Sequence, residues 1–561
     1  MRSTPSAAAK RSNGKSLPEK ESPTMKTHRA LIVTALILGA PLSAQGQELL
    51  PPDRPIGEVI DYYIDAKLAQ AKVKPAPPAP DTTVVRRLYL DLIGRIPAGV
   101  EAKLASKQAV DKKQLIATLV ASPGFARHNA NEFDVLLRNS NTDAPSIRPY
   151  LLEAFQENRP WDVMFRDLIG ATETPSKTKP EAFVLKRLKD ADALTRDVSS
   201  IFFGLNITCA QCHRHPEIKD LTQDYFFGMK AFFASSYDFQ GNLLERQYFK
   251  LGDFKDKKGD MRKVSMLFLS GKKVEIETLP DKELLAAIQE EAKLITAKAK
   301  DYPKSKELPP LPKFQARKRL ADIALDEANR EMFARSIVNR IWFRFYGHGQ
   351  VMRVDQMHAE NKASHPELLQ WLARDLIAHK YDLKRLIAGL VSSRAYARSS
   401  EWKGTPPAKE LFAMAPTRPL TPAQWGMSYH IANQPDVFKP DDPIEVRQKK
   451  LADVEKGGGM FPFIEQPFDD FQVGIDEPLK LSNDEGMLKA MGSKLIPVLK
   501  KLPDTRQRID EAAWTMLSRP ATPEEHRLFG EYLEQRKDRP DEGLRQMLWA
   551  LINSPEFRFN H

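Results

Sequence analysis

The chain has 561 residues, of which 42% are hydrophobic and 28% charged, and a formal net charge of +11. At ~150 residues per domain this is too long for one ordinary domain, and a mean hydropathy of −0.46 is too polar for an integral membrane protein. Residues 1–47 carry Arg2, Lys10, Arg11, Lys15, Lys20, Lys26 and Arg29 against Glu19 and Glu21. The remainder is only mildly basic and has no basic stripe interleaved with aromatics, which argues against nucleic-acid binding.

The first element is apolar. Met25, Lys26, His28 and Arg29 precede the run Ala30–Ala44, which closes on small residues near Ala44 and Gly46. A basic start, a short apolar run and a small-residue exit predict a signal peptide. Residues 1–24 then read as an upstream extension, with Met25 as the start. The competing reading, an uncleaved anchor, meets the difficulty that a bilayer span needs ~20 residues. The expected location is periplasmic or secreted, with no stable transmembrane span after signal removal.

A Pro-rich link at 50–55 leads to a predicted helix over 56–72, and a Pro/Ala linker at 74–80 leads to an amphipathic helix over 84–93. Helical periodicity recurs at 112–121, 147–157, 161–169, 190–204 and 220–233. Strand-like alternation is confined to about 246–279, mainly 263–269 and 273–277. A Lys-rich helix at 282–300 and a Pro-broken link at 303–313 precede a C-terminal half that is again helical. The fold class is therefore mainly α, two helical domains with a small β patch between them. The divisions are an extension and signal at 1–46, a helical domain at 47–235, the patch and linker at 236–312, and a helical partner domain at 313–561.

Three stretches share a pattern: 115–125, 386–396 and 548–557 each end an apolar helix on a Ser-containing turn followed by an aromatic. They read either as copies of a duplicated helical module or as convergent helix ends. Their uneven spacing excludes a solenoid.

The chain has two cysteines, and both lie in Cys209-Ala210-Gln211-Cys212-His213. This spacing suits c-type haem: two thiols add to two vinyl groups, and the adjoining histidine reaches the iron. Attachment of that kind takes place after export, in keeping with the signal segment. A Cys209–Cys212 disulfide, a thioredoxin-like redox motif and a zinc site drawing also on His215 compete with it. Met229 is a candidate sixth iron ligand whose bland role is core packing.

The stretch from Ile201 through Cys209, Cys212, His213, Arg214, His215 and Pro216 to Gly228, with Arg87–Gly94 and Ala121-Ser122-Pro123, resembles a cytochrome-associated domain of unknown function from planctomycete-type bacteria. Ile337–Trp342, Gly347-His348-Gly349, Ser364–Leu369, Tyr381–Lys384, Ser393–Tyr396, Arg418-Pro419-Leu420 and Asn553–Phe557 resemble, in order, its usual partner domain. The resemblance covers roughly 56–561; the family is one of unknown function, and its cytochrome label rests largely on the Cys-x-x-Cys-His motif. The chain departs from it at Arg214, where an acidic residue is usual. Relatives are commonly encoded beside a sulfatase-like exported protein, which makes such a protein, or a redox partner, the implied partner.

Asn339, Arg340, Trp342, Arg344, His348, Asp355 and His365 form a dense polar group, read either as a carboxylate- or sugar-binding set or as structure, with Ser364 as an N-cap. The run 457–471, Gly-rich and then aromatic, reads as a loop over a pocket or a loop pinned by its own rings. No phosphate loop, nucleophile elbow or zinc-protease helix occurs, and no catalytic residue is assigned. The expectation is an exported haem protein in electron transfer, with Cys209 and Cys212 as anchors and His213 as iron ligand. The alternative is a non-redox binding or scaffold protein of the cell envelope with a disulfide or zinc at the same motif.

Overall fold

A computed structural model describes residues 49–107, 111–138, 146–172, 177–277, 279–435, 437, 439, 442–457, 479–480, 483, 486 and 490–561. The predicted signal segment, and the aromatic part of the 457–471 run, lie outside the described residues. Among the described residues the fold is mainly α, with only two-stranded sheets. No helix among them is long and apolar enough to cross a membrane.

The predicted helices appear at Ile56–Ala71, Asp81–Ile93, Lys112–Ala121, Arg148–Gln156, Trp161–Leu168, Ala191–Phe203 and Gln223–Ala231. The β region differs from expectation. It begins earlier, with a hairpin of Ser236–Phe239 and Asn242–Glu245, and the run 263–269 is divided. Lys263 closes a second hairpin, Asp253–Lys255 with Met261–Lys263, while Met266–Leu267 pairs with Lys273–Val274 in a third. Burial does not alternate through the run, because Met266, Leu267, Phe268 and Leu269 are all buried; the two short hairpins pair its ends with different neighbours and so cut it in two. The Lys-rich helix runs from Asp281 to Ser305 and includes Pro303 in its last turn, past the expected break.

Hydrophobic packing does not follow the sequence halves. One core joins Ile56 and Val59 of the first described helix, Trp161, Phe165, Phe202 and Phe203, and Phe333, Trp342, Leu386 and Phe412. At its centre Trp161 stacks on Phe202 and Phe333 with ring centroids 5.7 and 6.2 Å apart. A second core draws Leu90, Ile96 and Ala98 together with Trp425, Leu495, Met516, Leu548 and Phe557. Helix Asp81–Ile93 is buried on all sides because it feeds both.

The three similar stretches have a common local geometry. The hydroxyls of Ser122, Ser393 and Ser554 donate to the carbonyls of Leu119, Leu390 and Leu551, at 2.7, 3.1 and 2.6 Å. In each the aromatic three residues on, Phe125, Tyr396 or Phe557, is buried. The serine closes the orphaned carbonyls of the helix end, and the turn then aims a ring into the core.

Helix Gln223–Ala231 crosses the third hairpin closely at Gly228. A Cβ placed there would lie 2.4 Å from Leu267 Cβ and 2.9 Å from its backbone nitrogen. Because the neighbour is backbone and cannot rotate away, Gly228→Ala is expected to cost about 1–3 kcal/mol. Chemical denaturation with an unchanged midpoint would show that this approach is looser than described.

Candidate functional site

The site is built at the end of the buried helix Ala191–Phe203. Asp190 caps its start by accepting from the Ala193 amide at 2.8 Å, and Gly204, with φ of 65°, ends it. A side chain at Gly204 would strike Met357 Sδ at 2.6 Å, so glycine serves both the left-handed turn and the close approach. The chain then docks on the 350s loop. The Asn206 amide donates to the Asp355 carbonyl at 2.7 Å, and Asn206 Nδ2 donates to the Asp355 carboxylate at 3.1 Å.

From there Thr208–Gln211 forms one 3₁₀ turn. The Cys212 and His213 amides both donate to the Cys209 carbonyl, at 3.3 and 3.2 Å, so all three motif residues sit on one short turn. Ala210 is fully buried beneath it. Gln211 accepts from Arg196 at 3.0 Å and donates to Asp192 at 2.9 Å, while Gln223 Nε2 donates to the Gln211 carbonyl at 3.3 Å. Two helices therefore hold the turn, while the outward groups stay accessible.

Cys209 is half-buried, Cys212 is exposed, and both thiols are free. His213 is exposed, with Nδ1 2.7 Å from the Arg214 carbonyl oxygen. A carbonyl only accepts, so Nδ1 carries a proton, and in the neutral ring the free lone pair is on Nε2. His215 is buried and has the opposite tautomer. Its Nδ1 accepts from the amides of Glu217 and Ile218 at 3.3 and 3.2 Å, so the ring caps the following turn. Its ring packs edge-on to His358 at 5.9 Å, and His358 Nε2 lies 3.1 Å from Glu217. Burial, and next the charge of His358, push the His215 pKa down. Met229 is fully buried in the main core.

Beside the turn opens a cleft of about 430 Å³, lined by residues 213–216, Thr222, Gln223 and the hairpin residues Asp256, Lys257, Lys258 and Arg262. Most of its lining residues carry polar or charged groups, and the thiols are not among them. Among the described residues no three His, Cys, Asp or Glu side chains converge as metal ligands. A structural zinc site needs four such ligands, whereas covalent haem needs two thiols and one imidazole. Cys209, Cys212 and His213 are the donor types that covalent haem would use, through two thioether bonds and one imidazole.

The second polar group is structural. Asn339 bonds both backbone groups of Val351, at 2.9 and 3.0 Å. Arg340 donates to the Ser200 carbonyl at 2.7 Å, and Arg344 donates to Asn129 and to the Asp91 carbonyl at 2.7 and 3.1 Å. His348 Nδ1 lies 2.8 Å from the Gly349 carbonyl oxygen. The N-cap of helix Pro366–Ala378 is His365, one residue later than expected, and the Ser364 hydroxyl turns instead to His365 Nδ1 at 3.0 Å. Sequence reasoning missed Asp355 and His358 as neighbours of the thiol turn, because only the fold brings them there.

The class so defined is a mainly α protein carrying a Cys-x-x-Cys-His turn at an interface between its sequence halves. Residues 59–238 match the family model described as Protein of unknown function (DUF1549). Residues 316–434 match the model described as Protein of unknown function (DUF1553). The chain thus contains both domains, which are known as a pair. No curated protein and no solved structure matches it.

Proposed function

We propose that Cys209 and Cys212 anchor a covalent haem c, that His213 ligates its iron, and that the protein is an exported electron carrier. The observation that carries this reading is the state of the turn itself. Two unpaired thiols and an imidazole share one short, externally braced turn, and a carbonyl engages His213 Nδ1 so that Nε2 is the available ligand. A carbonyl bonded to the far ring nitrogen fixes the tautomer and raises the basicity of a metal-binding histidine. The bound group would supply one-electron chemistry; the chain's own part is to hold it at a polar, accessible edge. Export is supported by the basic-then-apolar segment around Met25–Ala44.

The test is a pyridine-haemochrome spectrum of protein made with a haem-attachment system, beside a Cys209→Ala/Cys212→Ala control. The expected result is a haem band that survives denaturation in the wild type and is absent from the control. Colourless wild-type protein, with the attachment system shown to work, would refute the reading. Zinc analysis and thiol counting would then decide between the metal and disulfide alternatives.

A further inference from the structure

We propose that the cleft beside His213 binds a small ligand carrying two or more carboxylate or phosphate groups. At about 430 Å³ the cleft has the size of a small-molecule site. Its charge is one-sided: Arg214, Lys257, Lys258 and Arg262 line it, against a single lining carboxylate, Asp256.

That carboxylate is already used. Asp256 Oδ1 accepts from the amides of Lys258 and Asp260 at 2.8 and 3.0 Å, shaping the loop of the second hairpin. The same loop closes with the Asp256 amide donating to the Asp260 carbonyl at 2.9 Å and with Gly259 at φ of 94°. Lys257 and Lys258 are thereby presented side by side on a built turn. Among the described residues no acidic side chain lies within ion-pair distance of Arg214, Lys257 or Lys258. Arg262 is positioned by Asp224, at 2.9 Å, and lies over the Phe254 ring.

Helix Gln223–Ala231 begins at the cleft, with Thr222 and Gln223 in its wall, adding the positive end of a helix dipole. Like charges held together in a concave wall repel one another until an anion enters, and the wall concentrates their field. With Arg262 paired to Asp224, Arg214, Lys257 and Lys258 remain unpaired among the described residues; one charge on the ligand leaves two of them unmatched, and a multiply charged oxyanion answers them.

The proposal rests on the cleft, not on haem, and the test separates the two. Isothermal titration of the full chain uses citrate and pyrophosphate in turn, with acetate and chloride at matched ionic strength as controls. It is run on the wild type and on Cys209→Ala/Cys212→Ala. Expected are saturable one-to-one binding in both forms, weakening as salt rises, and a loss of about tenfold or more in Lys257→Ala/Lys258→Ala and in Arg214→Ala. A preference for citrate or for pyrophosphate assigns the ligand to carboxylates or phosphates. These side chains are exposed, and circular dichroism confirms that the variants fold. No binding above the controls in the haem-free form, binding indifferent to the three substitutions, or binding of long polyanions only would overturn the proposal. Colourless protein that still binds citrate would sink the haem reading alone.

Discussion

Asp91→Ala is expected to destabilise the protein by about 3–5 kcal/mol, the cost of leaving a buried charge without its partner. Asp91 is buried, and its carboxylate receives four hydrogen-bond contacts. Arg418 Nη2 donates to both oxygens at 2.9 and 2.7 Å, the Tyr396 hydroxyl donates at 2.8 Å, and Asn560 Nδ2 donates at 2.8 Å. Around this centre Arg87 Nε donates to the His561 carbonyl at 3.1 Å and Arg87 Nη1 to the Arg398 carbonyl at 3.1 Å. Burial, and next the Asp91 charge, hold the Tyr396 phenol well above its ordinary pKa, so it stays a donor. Removing the carboxylate orphans the Arg418 guanidinium and two neutral donors at once. Equilibrium unfolding in urea measures the loss, and a change below about 1 kcal/mol, the scale of an exposed pair, would sink the argument. Asp91→Leu/Arg418→Met should recover the part of the loss that comes from the unpaired charge, while the Tyr396 and Asn560 donors stay without their acceptor. The same network explains why the sequence halves share a core, since one carboxylate holds three elements that lie far apart in the chain.

Acid should weaken the fold through buried neutral histidines. His365 is buried at the start of helix Pro366–Ala378, and burial, with the charge of Lys67 next, lowers its pKa to about 4. Its Nε2 has no hydrogen-bond partner, and its ring rests on Phe412 at 5.4 Å. The sign follows from proton uptake. An unfolded histidine protonates near pH 6.5 while the folded one does not, so the unfolded state gains protons first. The contribution of His365 is complete above pH 6.5 and is lost as pH falls toward about 4, by about 3 kcal/mol in total. His128 acts in the same direction. Burial, and next the charge of Arg344, hold it well below its ordinary value. Glu132, raised by burial, opposes them as pH falls toward 4.5, because a folded carboxyl with a raised pKa takes up its proton before the unfolded one does. A comparison of wild type with His365→Asn cancels these other groups. The variant's stability curve should be flatter by up to about 1.4 kcal/mol per pH unit across this window. Parallel curves would mean that His365 is hydrated in the folded protein.

The sequence by itself determined the mainly helical class, most helix positions and the thiol turn. Apolar spacing of 3.6 reports which face of a segment is covered, and two cysteines three residues apart define their own local chemistry. It also held the serine-and-aromatic helix ends, because a hydroxyl and a carbonyl three residues apart meet within one turn. What covers each face, the tertiary structure decided. Asp91 meets Tyr396, Arg418 and Asn560 across separations of 305, 327 and 469 residues. Nothing local distinguishes it from a solvated aspartate on an amphipathic helix. The neighbours of the thiol turn arrive the same way: Asp355 and His358 from the second half, Lys257 and Lys258 from a hairpin whose pairing cut an alternating run in two. Periodicity is a property of one segment, whereas burial of a charge and the lining of a cleft belong to pairs of segments.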